Sequence, residues 1–180
     1  MRKIVAGLFA TLDGVVEAPE KWQFAYFNEE VGQSIGASMA AADAILLGRR
    51  TYEEFVQFWP HQTDDPFAGF MNNTPKYIVS TTLGSVDWQN STLVRDNVVE
   101  QITELKQQPG RNINVIGSPT LVRSLLREKL LDELALTVCP VVIGTGQHLF
   151  EGWTDQVPLK LLSSTAFGTG AVSVSYEPAE

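Results

Sequence analysis

Short apolar segments alternate with helical segments along almost the whole chain, and this alternation restricts its fold more than any other feature. The apolar segments are four to nine residues long, which predicts buried strands over residues 3–9, 44–47, 76–80, 92–95, 113–116 and 134–142. Helices are predicted between them, with Asn28 as the cap of the first, over residues 29–42, from Thr51 onward, 67–71, 98–107 and 119–128. A helix between two strands returns the chain to the same edge of a sheet, so the alternation predicts a mainly parallel α/β sheet.

The last part of the chain departs from this alternation. Residues 159–167 and 172–176 are both strand-like, and only a turn that contains Gly168 and Gly170 separates them. Strands joined without a helix run antiparallel, so we predict an antiparallel hairpin at one edge of the sheet. A chain of 180 residues suits one domain, and neither a linker nor a repeat divides it.

The charge of the chain argues against several classes of partner. Its net charge of -8 and its pI of about 4.8 would repel nucleic acids and anionic lipid surfaces. No segment is long and apolar enough to cross a membrane or to act as a signal peptide, so we expect a cytoplasmic protein. Cys139 is the only cysteine and is expected to be buried and inert, and the spacing of histidine and acidic residues indicates no metal site.

One segment that follows a predicted strand has the composition of an anion site. Gly48 allows the backbone to come close to a ligand, and Arg49 and Arg50 carry guanidinium groups that match phosphate oxygens. Thr51 and Glu54 form the capping-box pattern, which predicts Thr51 at the N-cap of the next helix, where free amides suit a phosphate. The alternative is a capped helix with two solvated arginines, but paired arginines in an acidic chain favour the anion site.

Two further segments follow predicted strands and offer hydrogen-bond donors. Three hydroxyl side chains stand where the strand at 76–80 ends, namely Ser80, Thr81 and Thr82. After the strand at 113–116 and Gly117, Ser118 is a good N-cap and Pro119 suits the first helical position. Ordinary turns and a well-capped helix without a ligand are the alternatives. Because ligands of open α/β sheets bind beyond the carboxyl ends of the strands, the three segments together favour an extended, multiply phosphorylated cofactor.

The motifs of these segments, taken in order along the chain, resemble those of the dihydrofolate reductase superfamily. They are TLDG at 11–14, LGRRTYE at 47–53, YIVS at 77–80, VIGS at 115–118, LLDEL at 130–134 and GTGQHLF at 144–150. Within the superfamily, the chain is similar to bacterial proteins that resemble the reductase domain of the bifunctional riboflavin-biosynthesis deaminase–reductase. The resemblance implies a three-layer α/β fold and NADPH as the cofactor.

The resemblance also implies how the cofactor site is divided. Arg49, Arg50 and Thr51 would hold the adenosine 2′-phosphate and the pyrophosphate region, and extra arginine favours NADPH over NADH. Further contacts are implied along the same edge, from the adenosine side to the nicotinamide, at Gly48, Ser80, Thr81, Thr82, Gly117, Ser118, Pro119, Leu121, Phe9 and Ala10. Residues 11–14 would begin a mobile loop over the nicotinamide.

The chain departs from the family pattern at two positions in this region. Ser118 stands where the second glycine of a Gly-Gly turn is expected, and this departure could change the backbone there. Ile116 stands where the riboflavin reductases carry a glutamate that helps to hold their substrate, which weakens the expectation of a ribosylaminopyrimidine phosphate.

Reduction of a C=N or C=O bond needs a proton as well as a hydride. The candidate donors are Asp13, Glu29, Glu30 and an ordered water molecule, although a turn residue for Asp13 and first-turn helix acids for Glu29 and Glu30 are the ordinary interpretations. True dihydrofolate reductases carry a carboxylate shortly after a loop tryptophan, which Trp22 resembles, whereas the nearest acids here begin only at Glu29. The candidate substrate-stacking residues, with core packing as the alternative, are Trp22, Phe27 and Phe55.

We therefore expect an NADPH-dependent reductase of a pterin- or pyrimidine-like heterocycle. A protein that binds NADPH without turnover is the alternative, because no acid is an obvious proton donor, and a structural subunit without a ligand is the third hypothesis. The apolar strand at 134–142 and the terminal hairpin are candidates for pairing in a homodimer, as in related domains.

Overall fold

One sheet of eight strands runs through the computed structural model, which describes residues 1–179. Its strands are β1 (Ile4–Thr11), β2 (Ala42–Gly48), β3 (Lys76–Val79), β4 (Ser91–Val94), β5 (Asn112–Ile116), β6 (Glu133–Cys139), β7 (Leu159–Ala166) and β8 (Val172–Pro178). Their order across the sheet is β4-β3-β2-β5-β1-β6-β8-β7. Neighbouring strands from β4 to β6 are parallel, and β8 and β7 form an antiparallel hairpin beside β6, so both predictions for the sheet are confirmed.

Helices cover both faces of the parallel part of the sheet and complete three layers. They are α1 (Glu29–Ala40), α2 (Arg49–Phe58), α3 (Ala68–Asn73), α4 (Val98–Gln107) and α5 (Pro119–Arg127). Because successive side chains of a strand point to opposite faces, Ile45 and Leu47 of β2 pack beneath α1, α2 and α3, whereas Ala44 and Leu46 pack beneath α4 and α5. None of the helices in residues 1–179 combines the length and the apolar composition needed to span a membrane.

The first helix begins as predicted. Asn28 Oδ1 accepts a hydrogen bond of 3.0 Å from the Val31 amide, which caps α1. The helix ends at Ala40 and not at residue 42, because Ala42 already pairs with Asn112 in the sheet.

The predicted N-cap at Thr51 is wrong. β2 continues to Gly48 and α2 begins at Arg49, so Gly48 is the N-cap and Thr51 is the third helical residue. The Thr51 hydroxyl is engaged elsewhere, because it accepts a hydrogen bond of 2.7 Å from the Ser118 hydroxyl of another turn.

The strand β6 is shorter than predicted and ends at Cys139 rather than at residue 142. Pro140 follows, and proline has no amide hydrogen with which to continue the ladder. Cys139 has no exposed surface, which confirms that its thiol is buried.

The parallel strands bring several turns of the chain to one edge of the sheet. β3, β2, β5 and β1 are adjacent and run in the same direction, so their ends share the carboxyl edge. The residues at these ends are Ser80 after β3, Gly48 in β2, Gly117 after β5 and Thr11 in β1. The three predicted phosphate-type segments therefore lie on the same side of the molecule.

Candidate functional site

The turns that precede α2 and α5 are in direct contact. The amide of Gly48 donates a hydrogen bond of 2.7 Å to Ser118 Oγ, and the Ser118 hydroxyl donates one of 2.7 Å to Thr51 Oγ1. A Cβ on Gly48 would lie 2.8 Å from Ser118 Oγ, so only glycine allows this approach. We call Gly48, Thr51 and Ser118 the hydroxyl brace, and it joins two of the three segments that the sequence singles out.

Both helices that begin at the hydroxyl brace lack a side-chain cap. Gly48 has no side chain with which to cap α2, and Ser118 uses its hydroxyl in the brace, so the predicted capping of α5 by that hydroxyl is wrong. Ser118 does occupy the N-cap position before Pro119, but in a left-handed conformation with φ of 59°. Helix N-termini carry free amides and a partial positive charge, so two neighbouring uncapped helices form a surface that attracts anions.

Arg49 and Arg50 bring positive charge to the start of α2. Arg49 Nη1 lies 3.1–3.2 Å from the carboxylate oxygens of Glu53, and both side chains are nearly half exposed. Such an exposed pair is weak, so a phosphate could take the place of Glu53. In the part of the chain that the structure describes, no carboxylate forms an ion pair with Arg50, which is exposed.

The other side chains predicted to contact the cofactor differ in whether they are free to bond a ligand. Ser80 Oγ accepts hydrogen bonds from the amides of Thr82 (3.2 Å) and Leu83 (3.1 Å), so it stabilises its own turn. The side chains of Thr81 and Thr82 are exposed at the edge. Leu121 is buried in the core, so a contact with a ligand could come only from its amide in the first turn of α5.

The loops that follow β1 and β6 are joined by two carboxylates. Asp13 accepts the amides of Ile143 (3.3 Å) and Gly144 (2.8 Å), and Glu17 accepts the amide of Gln147 (2.7 Å). We call Asp13 and Glu17 the carboxylate latch. The sequence reasoning missed it, because these partners lie about 130 residues apart in the chain.

The surroundings of Asp13 make it a poor proton donor. The Thr11 hydroxyl donates to it at 2.6 Å, and this bond, with that from the Gly144 amide, lowers the pKa of Asp13 to about 2. Glu29, a second predicted acid, is exposed at the start of α1 and accepts a hydrogen bond of 3.0 Å from Gln33, and Glu30, the third, accepts one of 2.8 Å from the Gly168 amide. No hydrogen bond within residues 1–179 joins Asp13 to Glu29, and their catalytic roles stay predictions.

Glu54 is a carboxyl group that the sequence did not single out as an acid. It follows Arg50 and Thr51 by one turn of α2, so it lies on the helix face that meets the carboxyl edge. The Glu54 side chain is exposed, but its partial desolvation raises its pKa, as do the charges of Glu20 and Glu17 in the loop after β1, whereas Arg50 lowers it. An upward shift of the pKa is the direction that favours a proton donor.

The predicted substrate-stacking residues lie in different surroundings. Phe27 packs in one apolar cluster with Phe9 of β1, whereas Phe55 packs in a separate cluster beneath α2. Trp22 donates its indole N–H to the carbonyl of Glu17 at 3.2 Å. The fold therefore brings Phe9 and Phe27 together but does not unite the three predicted residues in one cluster.

Two open clefts lie at opposite edges of the sheet. One, of about 560 Å³, adjoins the carboxyl end of β1 and is lined in part by Ala10, Thr11, Val138 and His148. The other, of about 660 Å³, lies where β2, β3 and β5 begin. The larger cleft is remote from both uncapped helix N-termini, so we assign the candidate site to the carboxyl edge.

Comparison with known proteins gives a family and a fold. The sequence profile of the RibD C-terminal domain matches residues 2–173. The uncharacterized protein YyaP of Bacillus subtilis is 28% identical over 180 residues, which cover 97% of this chain and 94% of YyaP.

Solved structures share the three-layer arrangement. A putative riboflavin biosynthesis protein from Shewanella sp. PV-4 has a TM-score of 0.81 at 22% identity, over 100% of both chains. A diaminohydroxyphosphoribosylaminopyrimidine deaminase/5-amino-6-(5-phosphoribosylamino)uracil reductase from Thermotoga maritima has a TM-score of 0.71 at 16% identity, over 99% of this chain and 57% of that one. Likeness at these identities establishes the fold and not the substrate.

Proposed function

This chain belongs to the family of RibD C-terminal domains, within the dihydrofolate-reductase-like group, and from this premise we propose that it is an NADPH-dependent reductase. The observation that carries the proposal is the meeting of two uncapped helix N-termini beside Arg49 and Arg50 at the carboxyl edge. We propose further that the substrate is a small heterocycle of the pterin or pyrimidine type.

The residues at this edge fit the charges of NADPH. The cofactor carries a pyrophosphate and a 2′-phosphate, and both need hydrogen-bond donors or positive charge. The free amides at the starts of α2 and α5 suit the pyrophosphate, and the guanidinium groups of Arg49 and Arg50 suit the 2′-phosphate. The exposed hydroxyls of Thr81 and Thr82 would bond the ribose beside it.

The end of β1 would receive the nicotinamide. When bound, NADPH supplies a hydride to the substrate. The chain would hold the ring near Phe9 and Ala10, beside the cleft of about 560 Å³. Ala10 lines this cleft, whereas Phe9 and Phe27 pack together on the other face of the sheet, where they offer a second apolar surface for a flat ring. The carboxylate latch would keep residues 11–17 in place along this position.

A proton must also reach the atom that gains negative charge. Asp13, with a pKa of about 2, holds no proton near neutral pH and acts in the carboxylate latch. Glu54 has a raised pKa on the α2 face that meets the edge, so we propose it as the proton source, directly or through a water molecule. Glu29 remains the alternative donor.

The same observations favour a second candidate function, a protein that binds NADPH without turnover. Of the three acids predicted from the sequence, Asp13 is ionised, Glu29 is exposed at the start of α1, and the hydrogen bond from the Gly168 amide lowers the pKa of Glu30. Oxidation of NADPH in the presence of a panel of pterins, pyrimidines and quinones separates the two functions. Turnover of any member supports the reductase, and NADPH binding without any oxidation supports the second candidate.

We also propose that a homodimer forms through the hairpin. Leu161 and Leu162 of β7 and Val172 of β8 are 52%, 42% and 36% exposed. β7 is an edge strand, whose free backbone groups and apolar side chains a second copy would cover. Sedimentation at several concentrations tests this, since a dimer has twice the monomer mass of 19.8 kDa, and a mass of one chain throughout would contradict it.

Titration with NADPH and with NADH tests the proposed function. We expect the double variant Arg49→Ala/Arg50→Ala to weaken NADPH binding roughly a hundredfold and NADH binding much less, because only NADPH carries the 2′-phosphate. Arg111→Ala is the matched control, since Arg111 is also exposed but lies where β5 begins, at the opposite edge. If the double variant loses equal affinity for both cofactors, the arginines do not recognise the 2′-phosphate. If the unaltered protein binds neither cofactor, the proposal is wrong.

A further inference from the structure

We infer that Ser118 is a positioning residue, whose hydroxyl fixes the start of α2 relative to the start of α5 and does not itself bond the cofactor. The inference rests on the proposed function, because it assigns the hydroxyl brace a purpose in NADPH binding. It departs from the expectation that Ser118 is simply one more phosphate contact.

The bonds of the Ser118 hydroxyl are directed into the protein. A serine hydroxyl has one proton to donate and accepts through its lone pairs. The proton is donated to Thr51 Oγ1 at 2.7 Å, and the oxygen accepts the Gly48 amide at 2.7 Å. Ser118 is only 8% exposed and Thr51 only 9%. The hydroxyl therefore has no proton left for a phosphate, although the backbone beside it still faces the edge.

The backbone of Ser118 shows that its side chain is retained at a cost. Its φ of 59° lies in the left-handed region, where glycine would be unstrained and a side chain is not. Gly117, the residue before it, also has a positive φ, of 76°. A strained residue persists where its surroundings hold it, and such residues cluster at functional sites. Here the bonds to Gly48 and Thr51 hold it.

The two turns approach each other closely at the hydroxyl brace, so a small change in their relative orientation moves the amides of both helices. A Cβ on Gly48 would lie 2.9 Å from the Ser118 Cβ, and one on Gly117 would lie 3.1 Å from Thr51 Cγ2. The turns therefore touch at two points, and the hydroxyl sets the angle between them. The amides of α2 and α5 can donate hydrogen bonds to the same pyrophosphate only when this angle is fixed.

A double-mutant cycle on NADPH affinity tests the inference. If Ser118 acts through Thr51, then Ser118→Ala and Thr51→Val should each raise the Kd for NADPH roughly tenfold, and the double variant should be no worse than either single variant. Thr51→Ser keeps the acceptor and should bind NADPH more tightly than Thr51→Val. If Ser118→Ala weakens NADPH binding while Thr51→Val does not, and exchange of the Gly48 amide is also unchanged in Ser118→Ala, the hydroxyl contacts the cofactor directly and the inference is wrong.

A second measurement needs no cofactor and keeps the two proposals separate. Hydrogen exchange of the Gly48 amide should become faster in Ser118→Ala, because the amide loses its acceptor. Ser124→Ala, on the same helix with its hydroxyl bonded to the Thr120 carbonyl, is the control and should leave the Gly48 amide unchanged. Unchanged exchange at Gly48 in folded Ser118→Ala would overturn the hydroxyl brace, whereas faster exchange in a protein that binds no NADPH would overturn only the function assigned to it.

Discussion

The two halves of the carboxyl edge are held together by different kinds of hydrogen bond. At β2 and β5 the hydroxyl brace is neutral and largely buried, with Ser118 8% exposed. At β1 and β6 the carboxylate latch is charged and lies at the surface, where residues 142–146 are exposed. Buried neutral bonds respond little to pH and salt, whereas surface carboxylates compete with water and are screened. This difference indicates that the half at β2 and β5 is fixed and suits the phosphates of the cofactor. The half at β1 and β6 is adjustable and suits the nicotinamide and the substrate.

The replacement of Glu54, which lies one turn after Arg50 on α2 and whose pKa the charges of Glu17 and Glu20 affect, is expected to have the largest effect. Glu54→Gln keeps the shape of the side chain but removes the acid proton, so kcat should fall at least about a hundredfold while the Kd for NADPH changes little. In the unaltered protein the protonated acid is the donor, so the rate should fall as the pH rises through the Glu54 pKa, which partial desolvation raises. A pH–rate profile of the variant should lack this fall.

The control for Glu54 is its neighbour in the chain. Glu53→Gln removes the same charge from an exposed carboxylate that is paired with Arg49, and should keep the fall in rate at high pH. An unchanged rate and pH profile in Glu54→Gln would exclude Glu54 as the donor and leave the adjustable half without an assigned acid.

A pair of glycine substitutions compares the packing of the two halves and should have the next largest effect. Gly48→Ala places a Cβ 2.8 Å from Ser118 Oγ, and this overpacking should lower the free energy of unfolding by about 2 kcal/mol and weaken NADPH binding. At Gly144 a Cβ meets nothing within 4 Å, but the φ of +79° is unfavourable, so Gly144→Ala should lose only about 1 kcal/mol.

Denaturant unfolding and NADPH titration measure both glycine variants. Gly36→Ala is the control, since it lies within α1 with nothing within 4 Å of its Cβ and should be neutral or stabilising. If Gly48→Ala and Gly144→Ala lower the free energy of unfolding equally and neither weakens NADPH binding, the two halves do not differ as described.

Asp13→Asn tests the charged half alone and should have the smallest effect. The pKa of Asp13 is about 2 in the folded protein against an ordinary 3.8, so the Asp13 carboxylate stabilises the fold above pH about 4 and loses that contribution as the pH falls toward 2. Asparagine presents an NH₂ group where the carboxylate oxygen accepted a hydrogen bond from the Gly144 amide. Because that amide loses its acceptor, it should exchange several-fold faster near neutral pH.

Hydrogen exchange measured residue by residue checks this prediction. Asp13→Asn should leave the exchange rate of the Gly48 amide unchanged. In the unaltered protein, the Gly144 amide should exchange faster only below pH about 4, after correction for the intrinsic rate. If Gly48 responds as strongly as Gly144, the two halves are not independent.

Most of the fold could be predicted because its signals are local. Apolar segments of strand length, the Asn28 cap and the turn before β8 depend on residues close together in the chain. The errors lie where a distant residue decides the outcome. Ser118, 67 residues away, bonds the Thr51 hydroxyl that was expected to cap α2.

The candidate site could be predicted only in part. The meeting of the segments at residues 48–51, 80–82 and 117–121 follows from the parallel order of the strands, which the sequence indicates. The carboxylate latch joins Asp13 to the Gly144 amide, 131 residues away, and the pKa of Glu54 depends on Glu20 in another loop. No local pattern reports such contacts, so the choice among the acids needed the structure.

The central claim is that two uncapped helix N-termini and their arginines form a dinucleotide site. NMR tests it most directly, by measuring how NADPH shifts the backbone amide signals of the isotope-labelled protein. We expect the largest amide shifts at residues 49–51, 81, 117, 118, 120 and 121, where α2, β3 and α5 meet the carboxyl edge. No shifts at saturating NADPH, or shifts confined to the opposite cleft around Phe67 and Asn73, would contradict it.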